Sequence, residues 1–340
     1  MKKSLIFLFL LSVFASTVLA SSEEEAKEAI KKESQPEEVL TQFERDYVLL
    51  KKKQIEIENT FNYTYYSANQ IYLNSFAILN PVFLTLGRFG IERARRHIFI
   101  DNISLRYGLL NNLQIETTFP FIYRYELLTV AETGVETRKE KIGIGDISFA
   151  VSFQPIRETA RMPAVITNLT YKSKTGKSPF KLDDPKKDLP TGSGYESVKF
   201  GVSLVKSLDP VVVFGGMSYS YNIPTTVNRF ICGGTETSGC AYLEKVYPGD
   251  TLSINFGFAY ALSYNFSMNF QFAQDYTFHT KVLANGIKNQ VINSTLNSAL
   301  LKVGVGWALS SKSSLNMGVS LGLTTDAPDY VVEIRVPYRF

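Results

Sequence analysis

The stretch Leu113-Gln-Ile-Glu-Thr-Thr-Phe-Pro-Phe-Ile-Tyr-Arg124 decides the fold. Leu113, Ile115, Thr117, Phe119, Phe121 and Tyr123 alternate with Gln114, Glu116, Thr118 and Arg124. A period of two over so many residues is a β-strand, longer than the usual five or six. The same dyad recurs on both sides. Ile55, Ile57, Phe61, Tyr63 and Tyr65 alternate with Glu56, Glu58, Thr60, Asn62 and Thr64. Near the C-terminus Val332, Ile334, Val336, Tyr338 and Phe340 alternate with Glu333, Arg335, Pro337 and Arg339. Twelve such runs start near residues 54, 97, 113, 142, 163, 197, 211, 251, 267, 297, 315 and 330. Most are about ten to thirteen residues, the length a tilted strand needs to cross a bilayer.

Charge decides which face meets water. A soluble β-sandwich would have to bury Glu56, Glu116, Arg124, Asp146, Lys172, Lys302, Glu333 and Arg335 in one core. The desolvation cost of that core is prohibitive. Lipid outside and water inside remove the conflict, because a closed barrel satisfies every backbone group. The polar parity then lines a lumen: Glu56, Glu58, Glu116, Asp146, Asp275 and Glu333 against Arg106, Arg124, Lys172, Lys199, Lys302, Arg335 and Arg339. Mutual ion pairing along the wall is one reading, and a constriction that selects by charge is the other. Two positions break the parity: Asp101 and Gln274 fall among outward apolar residues. A bulge near residues 100–102 would rescue the first.

Connections alternate in length. Gly108–Asn112, Ser207–Pro210, Ser263–Asn265 and Ser310–Ser314 are short. Ser67–Arg96, Glu126–Lys141, Ser173–Glu196, Ile223–Asp250 and Thr280–Leu296 are long. That alternation predicts an up-and-down outer-membrane barrel with both termini in the periplasm. The first long segment is too apolar for a water-exposed loop. It folds inward over the pore, extends the first hairpin or binds a partner. Its cluster of Arg88, Arg93, Arg95 and Arg96 suits lipopolysaccharide phosphates or a solvated loop base. The segment Ser173–Glu196, with mixed charges and dense breakers, reads as a surface loop.

Residues 1–20 have a basic start at Lys2 and Lys3, a short apolar core and small residues at Val18-Leu19-Ala20, the pattern of a secretory signal peptide. Residues 21–53 form a charged, partly helical leader. Val39, Leu40, Phe43, Tyr47 and Leu50 recur at spacings of three and four, and mark a plug candidate. Residues 54–340 form the barrel. Cys232 and Cys240 flank a Gly-rich loop and read as a disulfide in an oxidising compartment.

Lys and Arg number 36 against 32 Asp and Glu, too balanced for a nucleic-acid binder. The two histidines, His97 and His279, lack the serine of a His-x-Ser lipase, and no Gly-x-Ser-x-Gly elbow or paired metal ligands occur. No catalysis, cofactor or metal is expected. Tyr338 and Phe340 end the last strand like the recognition signal of bacterial outer-membrane barrels. The expected partners are therefore outer-membrane lipid and lipopolysaccharide, the barrel-assembly machinery and a cargo the sequence does not name.

Three stretches carry a family resemblance. Arg106-Tyr-Gly-Leu-Leu-Asn-Asn-Leu-Gln-Ile-Glu-Thr-Thr-Phe-Pro120 resembles the second hairpin of the outer-membrane transporter family named for the MetA pathway of phenol degradation. Gly143-Ile-Gly-Asp-Ile-Ser-Phe149 resembles its Gly-x-Gly-Asp strand start, and Thr325-Asp-Ala-Pro-Asp-Tyr330 with Pro337-Tyr-Arg-Phe340 resembles its last hairpin. The leader and long first loop also look like the functional-amyloid secretion channel FapF, which implies a homotrimer and a helical plug. Here the leader is short and lacks sustained heptads.

The sequence thus predicts an all-β transmembrane barrel of about twelve strands in the bacterial outer membrane. It would act as a channel for solutes or polypeptide. The alternatives are an amyloid-type export channel, a non-conducting structural or adhesion barrel, and uptake of apolar small molecules.

Overall fold

The computed structural model describes residues 49–69, 91–130, 136–182, 188–232, 240–263, 265–291 and 294–340. Residues 1–20, read above as a signal peptide, the central part of the first loop, and Val39, Leu40, Phe43 and Tyr47 of the plug candidate lie outside the described residues.

Strands β1 (Ile55–Asn69), β2 (Ile91–Leu110), β3 (Leu113–Val130), β4 (Glu136–Ile144), β5 (Ser148–Ile156), β6 (Ala164–Lys172), β7 (Ser197–Leu208) and β8 (Val211–Asn222) open the chain. A hairpin follows, β9 (Thr225–Cys232) and β10 (Cys240–Tyr247), then β11 (Thr251–Ser263) and β12 (Phe266–Thr277). A second short hairpin, β13 (Lys281–Ala284) and β14 (Ile287–Gln290), precedes β15 (Leu296–Ala308), β16 (Ser314–Gly322) and β17 (Tyr330–Arg339). The barrel runs β1-β2-β3, then β4 and β5 as one wall position, then β6-β7-β8-β11-β12-β15-β16-β17 and back to β1. Neighbours pair antiparallel throughout, which gives a closed twelve-stranded barrel. Most strands begin within a few residues of the starts read from the dyad.

The β4–β5 position is the irregular one. Phe121 pairs with Ile144 and Thr118 with Ser148, so Gly145, Asp146 and Ile147 face only two residues of β3. This is a one-residue bulge. Glycine suits it, because a Cβ at Gly145 would meet Ile122 at 2.7 Å and Pro120 at 2.9 Å. The bulge aims Asp146 into the barrel.

Outward residues such as Leu105, Phe149, Leu169, Phe200, Met217, Phe256 and Leu321 stay exposed, as an acyl-chain belt requires. At the extracellular end Tyr63, Tyr65, His97, Phe99, Tyr123 and Tyr330 stack outside the wall, with Tyr63 and Phe99 centred 4.7 Å apart. These rings form an interfacial girdle.

Four expectations need correction. The segment Ser67–Arg96 is not all loop but extends the first hairpin, one of the readings offered for it: β1 continues to Asn69 and β2 starts at Ile91. The segment Glu126–Lys141 is mostly strand for the same reason, since long cross-strand pairing carries this side of the wall upward. No bulge occurs at Asp101. Its register is regular, and it faces outward with its carboxylate accepting a bond from Asn59 Nδ2 at 2.6 Å. Satisfying the carboxylate locally replaces the bulge. Gln274 is likewise outward and donates to Asn297 at 2.8 Å. Finally, the segment Ser173–Glu196 is not a surface loop: Leu182 and Leu189 are each 2% exposed. Its described residues Pro179, Phe180, Leu182, Leu189 and Pro190 enter the barrel mouth, because the short β5 and β6 leave a gap beside β4.

The long extracellular segments hold a structure the dyad did not reveal. The two hairpins join as a four-stranded sheet in the order β14-β13-β10-β9. Its inner side packs Leu243, Val246, Val282 and Val291 on Phe180 of a short 3-10 turn, Pro179–Lys181. This sheet and turn cap the barrel. In the β9–β10 hairpin Cys232 stands opposite Cys240. Their side chains lie outside the described residues.

Candidate functional site

The lumen divides into two zones of different chemistry. At the periplasmic end the sequence places Glu56 between two strands that each carry an arginine. Register sets Glu56 opposite Arg106 on one side and Arg339 on the other. Arg106 Nη1 donates to Glu56 Oε1 at 2.5 Å, and Arg339 Nε donates to Oε2 at 2.6 Å. Glu116 Oε2 lies 3.7 Å from Arg106 Nε. Glu56 is 1% exposed and Arg106 2% exposed, so these charges depend on one another. Glu58 and Arg335 are buried on the same inner face, and Lys302 pairs with Glu333 at 3.0 Å. Across from them, Ala164, Val205, Val212, Phe214 and Ala259 make an apolar inner patch on β6, β7, β8 and β11.

The last residues of the leader meet this end. The Leu50 amide donates to Gln114 Oε1 at 3.0 Å, and the Lys53 amide donates to the Gly108 carbonyl at 2.7 Å. Leu50 is buried. The β2–β3 turn therefore holds the chain against the inner wall.

The extracellular zone is built around Asp146. Its Oδ1 accepts the Gly176 amide at 3.0 Å. Its Oδ2 accepts the Ser193 amide at 2.7 Å and the Ser193 hydroxyl at 2.6 Å. One carboxylate thus pins both limbs of the inward loop. Close approach of the limbs requires glycine, since a Cβ at Gly176 would meet the Gly192 backbone at 2.6 Å. Lys172 Nζ lies 3.5 Å from Asp146 and also bonds Ser193. Further contacts fix the loop to the β3–β4 wall. Arg124 donates to the Pro190 carbonyl at 2.9 Å and to Glu126 at 2.9 Å. The Thr191 hydroxyl donates to the Ile144 carbonyl at 2.8 Å. Asp188 pairs with Lys141 at 2.9 Å and with Lys177.

Asp188 gives this attachment a pH dependence. Burial alone would raise its carboxyl, but Lys177 and Lys141 prevail and hold it below the ordinary 3.8. A depressed carboxylate contributes attachment above its unperturbed value and loses it as pH falls through the depressed one. Loop docking is therefore stable at neutral pH and weakens below about pH 4. Cleavage of the folded barrel near Phe180 and Leu182 by pepsin, which is active in acid and cuts at aromatic and leucine residues, should quicken below that pH relative to its cleavage of a short peptide substrate. A rate that keeps pace with the peptide substrate as the solution is acidified further would refute it.

Beneath the loop and cap lies a cavity of about 580 Å³. Ile98, Ile100, Ile122 and Phe180 give it apolar walls, and Arg124, Asp146, Lys172 and Lys199 its charges.

The sequence-predicted lumen residues thus separate. Arg124, Asp146, Lys172 and Lys199 line the upper cavity. Glu56, Glu58, Arg106, Glu116 and Arg335 gather at or toward the periplasmic end, with Lys302 and Glu333 paired elsewhere on the wall. Asp275 is exposed near the upper end of β12, opposite Ser253 and Ser298. At the C-terminus the rings of Tyr338 and Phe340 lie 4.8 Å apart, and Phe340 is 65% exposed. Sequence reasoning missed Gly176, Asp188, Pro190, Thr191 and Ser193. The one available signal was the small-residue run Thr191-Gly-Ser-Gly194, which lets a chain approach a carboxylate closely.

The family model for the MetA-pathway of phenol degradation matches residues 100–340. Among solved structures, an outer membrane channel from Pseudomonas putida F1 is 12% identical with a TM-score of 0.62, over 87% of this chain and 98% of that one. That likeness shows a shared barrel fold. The toluene transporter TbuX of Ralstonia pickettii is 11% identical with a TM-score of 0.43, over 88% of this chain and 92% of that one. The translocator domain of the autotransporter NalP from Neisseria meningitidis is 11% identical with a TM-score of 0.45, over 86% of this chain and 90% of that one.

Proposed function

The chain belongs to the MetA-pathway of phenol degradation family, and from that membership and the geometry above we propose that it is an outer-membrane channel gated by its inward loop. The observation that carries this reading is the Asp146 latch. A structural barrel has no use for a loop whose two limbs meet on one carboxylate over a cavity of solute size. The Pseudomonas putida protein with the same fold is described as a channel, which supports transport rather than catalysis. A cavity of about 580 Å³ under a packed cap suits a small solute better than a polypeptide.

Single-channel recording in planar bilayers tests the reading. The full chain should show a small conductance interrupted by brief larger openings. Silence from the folded barrel, both in the wild type and with the latch removed, would leave a non-conducting barrel instead.

Export across the inner membrane follows from the signal peptide over residues 1–20. It puts Cys232 and Cys240 in an oxidising compartment. Their facing register in the β9–β10 hairpin supports a disulfide that ties the cap. In protein purified without reductant, iodoacetamide should label neither cysteine until dithiothreitol is added. Labelling before reduction would sink the pairing.

A further inference from the structure

The cavity's charges do not balance evenly. Arg124 is answered by Glu126 and Lys172 by Asp146. Lys199 has no carboxylate partner among the described residues, and it is exposed to the cavity it lines. Register places it between Thr170 on β6 and Ser220 on β8, both of which also line the cavity. A cation with a hydroxyl on each neighbouring strand is a receptor for a small oxyanion. Across the cavity, Ile98, Ile100 and Ile122 on β2 and β3 offer an apolar wall, extended by Phe180 of the loop.

We propose that this cavity binds an organic carboxylate with an apolar body, its carboxylate at Lys199, Thr170 and Ser220 and its ring or chain against Ile98, Ile100 and Ile122. The assignment deepens the channel reading, on which it rests for its role in transport. Each half of the site explains why the other is needed. An apolar solute alone gains nothing from an unpaired lysine, and a simple anion gains nothing from three isoleucines. The volume lies within the range of small-molecule sites.

Benzoate is the probe, with benzyl alcohol and acetate as its neutral and small counterparts. Each is titrated calorimetrically into the full chain in a non-ionic detergent. Benzoate should bind about tenfold more tightly than either counterpart, the worth of one charge-assisted contact or one buried ring. Lys199→Gln should weaken benzoate by about tenfold while benzyl alcohol is unaffected. Thr170→Val, a milder change that keeps the strand's shape, should weaken benzoate by roughly threefold. Heat-modifiable migration on gels verifies that each variant is folded. The site is overturned if benzyl alcohol matches benzoate, if benzoate binds folded Lys199→Gln as well as the wild type, or if benzoate produces no heat at all. Bilayer recording tests the channel separately. Benzoate binding without current upholds the site and defeats the channel, whereas current without benzoate binding does the reverse.

Discussion

Asp146→Ala makes a rarely open channel open far more often and for longer. The carboxylate accepts three bonds from the inward loop, two from amides and one from a hydroxyl. Bonds to an ionised acceptor contribute about 1.5–3 kcal/mol each, and water in the released state returns part of that. A net loss of about 3 kcal/mol shifts the ratio of docked to released loop on the order of a hundredfold. The remaining contacts, Thr175 to the Gly145 carbonyl on one limb and Thr191 to Ile144, Arg124 to Pro190 and Lys141 to Asp188 on the other, still favour the docked loop, so the shift acts against them. The truncation also leaves Lys172 without its nearby carboxylate, which loosens Ser193 further. The expected record is long openings at several times the wild-type current, measured in planar bilayers. Asp146→Asn, which keeps one acceptor, should fall between. Wild-type traces from a folded Asp146→Ala barrel would show that the loop does not gate.

Glu56→Ala should be the most damaging substitution for stability. Glu56 joins β1 to β2 through Arg106 and to β17 through Arg339, across the seam where the first and last strands meet. Removing one member of a buried ion cluster costs about 3–5 kcal/mol, because buried Arg106 loses its closest carboxylate and keeps Glu116 at 3.7 Å. The urea midpoint of the refolded barrel in detergent should fall accordingly, and heat-modifiable migration should be lost at a lower temperature. Replacing the cluster together, as Glu56→Leu with Arg106→Met, Arg339→Met and Glu116→Gln, should recover much of the loss, since Glu116 is then not left charged beside a missing Arg106. If the single variant melts like the wild type, the seam does not depend on this cluster. If this combined variant is worse than the single one, packing rather than charge is decisive there.

The strands were legible because their signal is local. A residue such as Phe119 or Glu116 carries its own preference for lipid or water, and the period of two repeats it along each strand. The strand starts, the closed barrel and the family follow from that repeat and from short motifs such as Gly143-Ile-Gly-Asp146. Asp101 and Gln274 were visible as breaks in the pattern. Their resolution by Asn59 and Asn297 was not, because those partners sit on other strands.

The sequence by itself determined the membrane barrel, its strand runs and which side of each strand faces lipid, because alternation acts residue by residue. Tertiary structure alone decided the inward loop, the cap and the Lys199 site. Gly176 lies 30 residues from Asp146 and Ser193 lies 47 away. Thr170, Lys199 and Ser220 come together only through the register of three strands. Register and loop docking depend on closure of the whole barrel, so no local pattern encodes them.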